Sequence, residues 1–240
     1  MIATSNGSNG RNRLLAALPP KDFSIIASDL KDIFLDQGLV LQEAGEPVEH
    51  VYFPQTGMIS LLAVMQDGRE VETATIGREG GVGTITGLGS RISSHRSVVQ
   101  IEGSASRIPV ARFQAAVSRS AAIRDIAVRY SDSLMIMIQQ SAGCNALHAL
   151  ESRLCRWLLQ TRDRNDSNHL PLTQEFLSQM LGVRRTTLTL IAQDLQTASL
   201  IRYRRGRIEI VDRNGLEAKA CECYGVIRCQ SEAVFPQAPS

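Results

Sequence analysis

Between Phe34 and Ala111 the chain runs in short apolar segments cut by turn residues. The cuts fall at Asp36-Gln37-Gly38, Glu43-Ala44-Gly45-Glu46-Pro47, Pro54-Gln55-Thr56-Gly57, Asp67-Gly68, Gly77-Arg78-Glu79-Gly80-Gly81 and Glu102-Gly103. That spacing predicts short antiparallel strands closed into a sandwich or barrel. Residues 58–64 and 70–76, joined through Asp67-Gly68, read as a β-hairpin. Short helical stretches, about residues 11–18 and 20–29, precede the strands.

The period then changes. Residues 121–147 contain no proline and one glycine, Gly143. Ile123, Ala127, Tyr130, Leu134, Met137, Ser141 and Cys144 recur at steps of three and four, the stripe of a long helix. The stripe is expected to be a dimer seam; a helix packed on its own domain is the alternative. Residues 147–161 read as an amphipathic helix with Leu150, Leu154, Trp157 and Leu158 on one face. A polar loop follows over residues 162–169.

The next segments carry chemistry. Thr173 caps a helix whose apolar face is Phe176, Leu177, Met180 and Leu181. Gly182 permits the sharp turn of a helix-turn-helix. A second helix over residues 184–198 turns Leu188, Ile191 and Leu195 inward. Arg184, Arg185, Thr186 and Thr189 are left facing outward, where such a helix reads base edges in the major groove. Residues 201–210 alternate about a turn at Arg205-Gly206 and form a wing. Its Arg202, Arg204, Arg205 and Arg207 suit phosphate contact. From Arg184 to Arg207 six arginines face one acid, Asp194.

Composition changes this picture little. The net charge of +2 excludes a uniformly basic coat but leaves room for that local patch. With 43% hydrophobic and 21% charged residues the chain buries a core. No apolar run reaches the roughly 18 residues of a membrane span, so no membrane partner is expected. The Ser/Asn/Gly-rich stretch from Met1 to Gly10 reads as a disordered lead-in without a signal core. The five cysteines, an odd count, suit free thiols in a reducing cytoplasm. Cys144 and His148 stand four apart on a helix, but two ligands are too few for a metal. Cys221, Cys223 and Cys229 are either a metal or thiol sensor or reduced tail cysteines. The glycines at 77–89 lack the context of a phosphate loop and read as turns. No catalytic constellation and no metal ligand set is assigned, so an enzyme is not expected.

From about residue 11 to 212 the sequence resembles the Crp/Fnr family of transcription regulators, named for the cyclic-AMP receptor protein and the FNR regulator. Residues 172–188, Leu-Thr-Gln-Glu-Phe-Leu-Ser-Gln-Met-Leu-Gly-Val-Arg-Arg-Thr-Thr-Leu, are similar to the family's helix-turn-helix, including an arginine where Arg185 stands. Val51-Tyr52-Phe53, Gly57-Met58-Ile59-Ser60-Leu61 and Asp67-Gly68-Arg69-Glu70 are similar to its early hairpins. The resemblance implies an α+β fold: an N-terminal β-roll, a cyclic-nucleotide-binding-like jelly roll, over residues 11–120. A long dimerisation helix over 121–147 and a winged helix-turn-helix over 148–225 complete it. It implies double-stranded DNA, a second copy of the chain and RNA polymerase as partners. It also implies an effector anion site at Gly83, Thr84, Arg96 and Ser97. There the sequence departs from the family. Gly83 is followed by Thr84 instead of the ribose-holding glutamate, and about two extra residues precede Arg96-Ser97. No cofactor is therefore assigned, and cyclic AMP is not the expected effector. No cysteine precedes Cys144, so the FNR cluster ligands are missing. In the recognition helix Thr186 and Leu190 replace the family's usual Glu and Arg, which predicts a different DNA site.

Overall fold

The computed structural model describes residues 12–89, 91–204 and 206–235. Two short helices open the chain, α1 (Arg13–Ala16) and α2 (Pro20–Ala27). Asn12 caps α1 by accepting from the Leu14 and Leu15 backbone N–H groups. Its amide also donates to the carbonyls of Pro54 and Gly80, which pins the helix to the roll. Both helices are shorter than the sequence pattern suggests, α1 stopping at Ala16 and α2 at Ala27.

Seven strands follow: β1 (Lys31–Leu35), β2 (Val40–Gln42), β3 (His50–Pro54), β4 (Met58–Val64), β5 (Glu70–Ile76), β6 (Arg96–Ile101) and β7 (Gly103–Pro109). They form two antiparallel sheets of order β1-β7-β3 and β2-β6-β4-β5. Leu35, Tyr52 and Ala105 of the first sheet meet Ile59, Leu61, Ala74, Ile76 and Val99 of the second in the roll's core. The expected hairpin is present, with β4 and β5 paired from Ile59↔Ile76 to Val64↔Glu70. Gly57 shows why its turn needs glycine. Its φ is +77°, and a Cβ there would come within 2.5 Å of the Ile101 carbonyl oxygen.

The roll's strands end at Pro109, and α3 (Val110–Arg119) leads into α4 (Ala121–Leu147), a helix of 27 residues capped by Ser120. The stripe expected as a dimer seam packs within the chain instead. Ile123, Ala127 and Tyr130 join the core shared with Phe53, Ile108 and Phe113, and Met137 joins the roll's core. Leu134 is half-buried between both. The reason is long-range. The roll and α3 cover one end of the stripe, and a C-terminal helix, α9 (Cys223–Ala233), returns and lies along α4. The face of α4 left to solvent carries Val128 and Met135.

At His148 the backbone is extended, φ −99° and ψ 144°, so α4 stops there and α5 (Leu150–Asn165) begins on a new axis. The predicted helix 147–161 is thus shifted three to four residues onward. Then come β8 (His169–Leu170), α6 (Gln174–Leu181), α7 (Arg185–Thr197), β9 (Ile201–Arg204), β10 (Arg207–Ile210) and α8 (Arg213–Lys219). The last sheet has the order β8-β10-β9. One core cluster joins Leu154, Trp157 and Leu158 of α5 to Leu177, Leu181, Leu188, Leu195 and Ile208, and also to Met58, Leu62 and Ile101 of the roll. The outer face of the four-stranded sheet is therefore the seat of the C-terminal half. Arg13 closes the chain on itself, its guanidinium donating to both carboxylate oxygens of Glu232 at 2.8 and 2.6 Å. The lead-in expected at Met1 to Gly10 lies outside the described residues.

Candidate nucleic-acid interface and effector pocket

Thr173 opens α6, its Oγ1 accepting from the Phe176 backbone N–H at 3.2 Å. A cap of this kind contributes about 1 kcal/mol. The helix ends at Gly182 in the left-handed conformation, φ 66°. Two backbone bonds close the end, Gly182 to the Gln179 carbonyl and Val183 to the Ser178 carbonyl. This is the glycine-dependent stop that satisfies the last carbonyls of a helix and redirects the chain. Leu188, Ala192 and Leu195 of α7 are buried against α5 and α6, so its opposite face points to solvent.

Arg184, Arg185 and Thr186 are exposed together at the start of that face. Arg185 stands 3.6 Å from Glu175, both side chains well exposed, a weak pair that a nucleic acid can replace. Thr189 is different. It is half-buried, its Oγ1 lying 2.9 Å from Gln174 Oε1 and from the Arg185 carbonyl, so it braces α7 on α6. Leu190, for which the sequence suggested no contact, is 63% exposed on the same face.

The wing is fixed to this pair of helices. The Tyr203 hydroxyl accepts from the Gln174 backbone N–H at 3.3 Å, and the Tyr203 N–H donates to Gln196 Oε1 at 2.9 Å. Arg202 donates across the hairpin to Glu209 at 2.7 Å. Arg204 and Arg207 face each other in register and are both exposed. Like charges placed opposite across two strands repel. An anion between them removes that cost. Arg205 lies outside the described residues.

The expected effector residues fall on two sides of Gln42. A Cβ on Gly83, whose φ is +80°, would meet Gln42 Nε2 at 2.6 Å, and Gln42 is the strand partner of Ser97. Ser97 is fully buried and its Oγ has no hydrogen-bond partner. His95 Nε2 nearby in the chain is likewise buried without a partner, and burial lowers the pKa of that ring. Thr84 turns away into the apolar cluster, beside Leu14, Phe53 and Phe113. Arg96 is already engaged: its Nη1 donates to Glu70 Oε1 at 2.6 Å and its Nε lies 3.4 Å from Glu43. The hydrogen bond to Glu70 raises the guanidinium pKa further. Glu70 Oε2 in turn accepts from Gln179 of α6 at 3.1 Å. Arg96 thus joins a bridge from the roll to the helix-turn-helix.

Two groups escaped the sequence. Glu72 of β5 is buried between the halves, hydrogen-bonded to Ser60 and Trp157, and burial pushes its pKa up to about 7. The second is a candidate ligand set that the sequence did not assign. Cys221 and Cys223 join Cys144 and His148, with all four ligand atoms within 4.8 Å of one another. The i, i+4 pair and the C-x-C motif were visible as separate signals; their meeting was not.

A β-roll seated through a long helix on a winged helix-turn-helix defines a transcription regulator that binds DNA through its C-terminal half. Residues 33–120 match the cyclic nucleotide-binding domain family and residues 152–219 the Crp-like helix-turn-helix domain family. The chain belongs to the Crp/Fnr family of transcription regulators. No curated protein sequence matches it. Among similar solved structures is a Crp/Fnr-family regulator from Eubacterium rectale, 17% identical, TM-score 0.68, covering 86% of this chain and 96% of its own. The c-di-GMP responsive global regulator CLP of Xanthomonas campestris is 16% identical, TM-score 0.65, over 81% and 100%. FixK2 from Bradyrhizobium japonicum is 13% identical, TM-score 0.66, over 80% and 98%. At these identities the likeness is one of fold. Among the described residues no helix is long and apolar enough to cross a membrane.

Proposed function

We propose that this chain is a cytoplasmic, homodimeric, sequence-specific regulator of transcription that acts on a near-palindromic operator and does not answer to cyclic AMP. In this reading residues 11–120 form the sensing domain, 121–147 the dimer helix and 148–225 the DNA-binding domain. The observation that carries it is the exposed group Arg184, Arg185, Thr186, Arg204 and Arg207 on a helix and wing held rigidly together.

Arg185 reads a base edge, with a good arginine–guanine fork worth about 1–3 kcal/mol of discrimination. Leu190 meets a thymine methyl. Arg202, Arg204, Arg205 and Arg207 hold phosphates, while Thr173 and Thr189 set the two helices. The second copy docks on the solvent face of α4 through Val128 and Met135. Two recognition helices then enter successive major grooves about 34 Å apart. RNA polymerase is the partner through which such a dimer acts.

The effector pocket is the polar interior around Ser97, Gln42 and Gly83. Cyclic AMP fits it poorly, because Thr84 points away and Arg96 is paired with Glu70 and Glu43. A cyclic phosphate would have to displace a carboxylate. Selection of bound duplexes from a random pool tests the whole reading. A recurrent near-palindrome is the expected result; retention without sequence preference, or none at all, would sink it.

A further inference from the structure

Cys144 lies on the last turn of α4 and His148 is its C-cap, while Cys221 precedes α9 and Cys223 opens it. The three cysteines form a buried cluster apart from the main hydrophobic cores. Cys144 Sγ is 3.5 Å from Cys221 Sγ, and Cys223 Sγ is 3.5 Å from His148 Nδ1. Tetrahedral zinc with bonds of about 2.3 Å to sulfur and about 2.0–2.1 Å to nitrogen sets its ligands roughly 3.6–3.8 Å apart. The donor atoms thus already stand close to the edges of such a tetrahedron.

We propose that Cys144, His148, Cys221 and Cys223 form a closed tetrahedral site for zinc(II) that clasps the end of the long helix to the C-terminal segment.

The surroundings are those of a thiolate site. His148 directs Nδ1 inward, and its Nε2 lies 3.2 Å from Glu222 Oε1. A ligating imidazole is ordinarily oriented by a carboxylate on its other nitrogen in this way. Gln140 Nε2 donates to Cys223 Sγ at 3.0 Å. Three thiolates on a divalent ion leave one net negative charge. Arg153 and Arg156, both buried, have Nε groups without hydrogen-bond partners, and both lie within electrostatic reach of Cys144. Three sulfurs and one imidazole are soft donors that favour zinc over magnesium or calcium. Four protein ligands leave no open position, so the site holds structure and does not catalyse. Its place is the joint where α4 gives way to α5. A metal there fixes the joint between the long helix and the DNA-binding half.

The test is metal analysis of the purified, reduced full-length protein, followed by chelation and titration with Co2+ and then Zn2+. One zinc per chain is expected. One equivalent of Co2+ should give the visible bands of tetrahedral cobalt with sulfur-to-cobalt charge transfer, and Zn2+ should bleach them. His148→Ala, at a half-buried position, and Cys221→Ser should lose the metal. Cys155→Ser and Cys229→Ser should keep it. An octahedral cobalt spectrum, or no spectrum, would overturn the proposal. So would retention of stoichiometric zinc by Cys221→Ser, or a native Cys144–Cys221 disulfide in metal-free protein.

Discussion

The indole N–H of Trp157 donates to Oε1 of Glu72 at 2.7 Å, so the first helix of the DNA-binding half is hydrogen-bonded to a buried carboxyl of the β-roll. Ser60 sits on the other oxygen, at 2.7 Å, and also contacts Gln100 Oε1. One hydroxyl proton cannot serve both acceptors. With Glu72 protonated, the carboxyl donates to Ser60 and Ser60 to Gln100; with Glu72 ionised, Ser60 donates to it and the Gln100 amide turns its unpartnered Nε2 toward Ser60.

A pH dependence follows from this contact. Burial raises the Glu72 pKa to about 7 from an ordinary 4.5. The stability of the protonated contact is complete below about pH 4.5 and is lost as pH rises through about 7. The difference amounts to about 3 kcal/mol. Trp157 is the chain's single tryptophan, so its fluorescence reports the titration directly. Glu72→Gln keeps an acceptor for the indole and a donor for Ser60. Urea midpoints measured from pH 5 to 8.5 should fall with pH in the native chain and change less in the variant. Equal slopes in both would place the proton elsewhere.

Arg185→Ala should relax preference at one position of each half-site and cost about 1–3 kcal/mol there. Site selection with the variant measures this. An unchanged preferred sequence would remove Arg185 from base readout.

Arg207→Ala should weaken all duplexes alike, since it faces Arg204 across the wing and not a base-reading helix. Losing one phosphate contact lowers the slope of log affinity against log salt by about 0.9. Anisotropy titrations over a salt series check it; an unaltered slope with altered sequence preference would reverse its role with that of Arg185.

Met135→Glu should give a folded monomer with lost operator binding, because Met135 is 50% exposed on the free face of α4. Leu134→Glu should instead lower the thermal midpoint of the chain itself, since Leu134 packs between two core clusters. Sedimentation and melting curves separate the two. A dimeric Met135→Glu would move the interface off this face.

Calorimetric titration with cyclic AMP should show no heat, and operator affinity should not change with it. Micromolar binding that alters operator affinity would mean that Arg96 leaves Glu70 for the phosphate.

Much of this protein is written in local pattern. The β4–β5 hairpin came from two apolar runs about Asp67-Gly68, and α6 and α7 from a cap, a glycine and helical spacing. Such signals survive in sequence because strand alternation, helix period and turn chemistry act between near neighbours. The outward arginines of α7 and the wing were legible for the same reason.

Which surface each element meets is another matter. The stripe on α4 showed that one face of the helix is covered but could not show by what. The cover is shared: Phe53, Ile108 and Phe113 lie over Ile123, Ala127 and Tyr130, and α9 lies along the same helix, its end tied to the N-terminal half by Arg13 with Glu232, 219 residues apart. Arg96 kept its place in the strand pattern, yet Glu43 and Glu70 from other strands claimed its charge. The Cys144–Cys221 pair spans 77 residues, and Trp157 reaches Glu72 across 85. The sequence by itself determined the strand-rich first half, the long helix, the helix-turn-helix with its wing, and the class of nucleic-acid reader. Only the tertiary structure decided the carboxyl between the halves and the four-ligand clasp, because long-range closure sets which side chains meet and local periodicity carries no record of it.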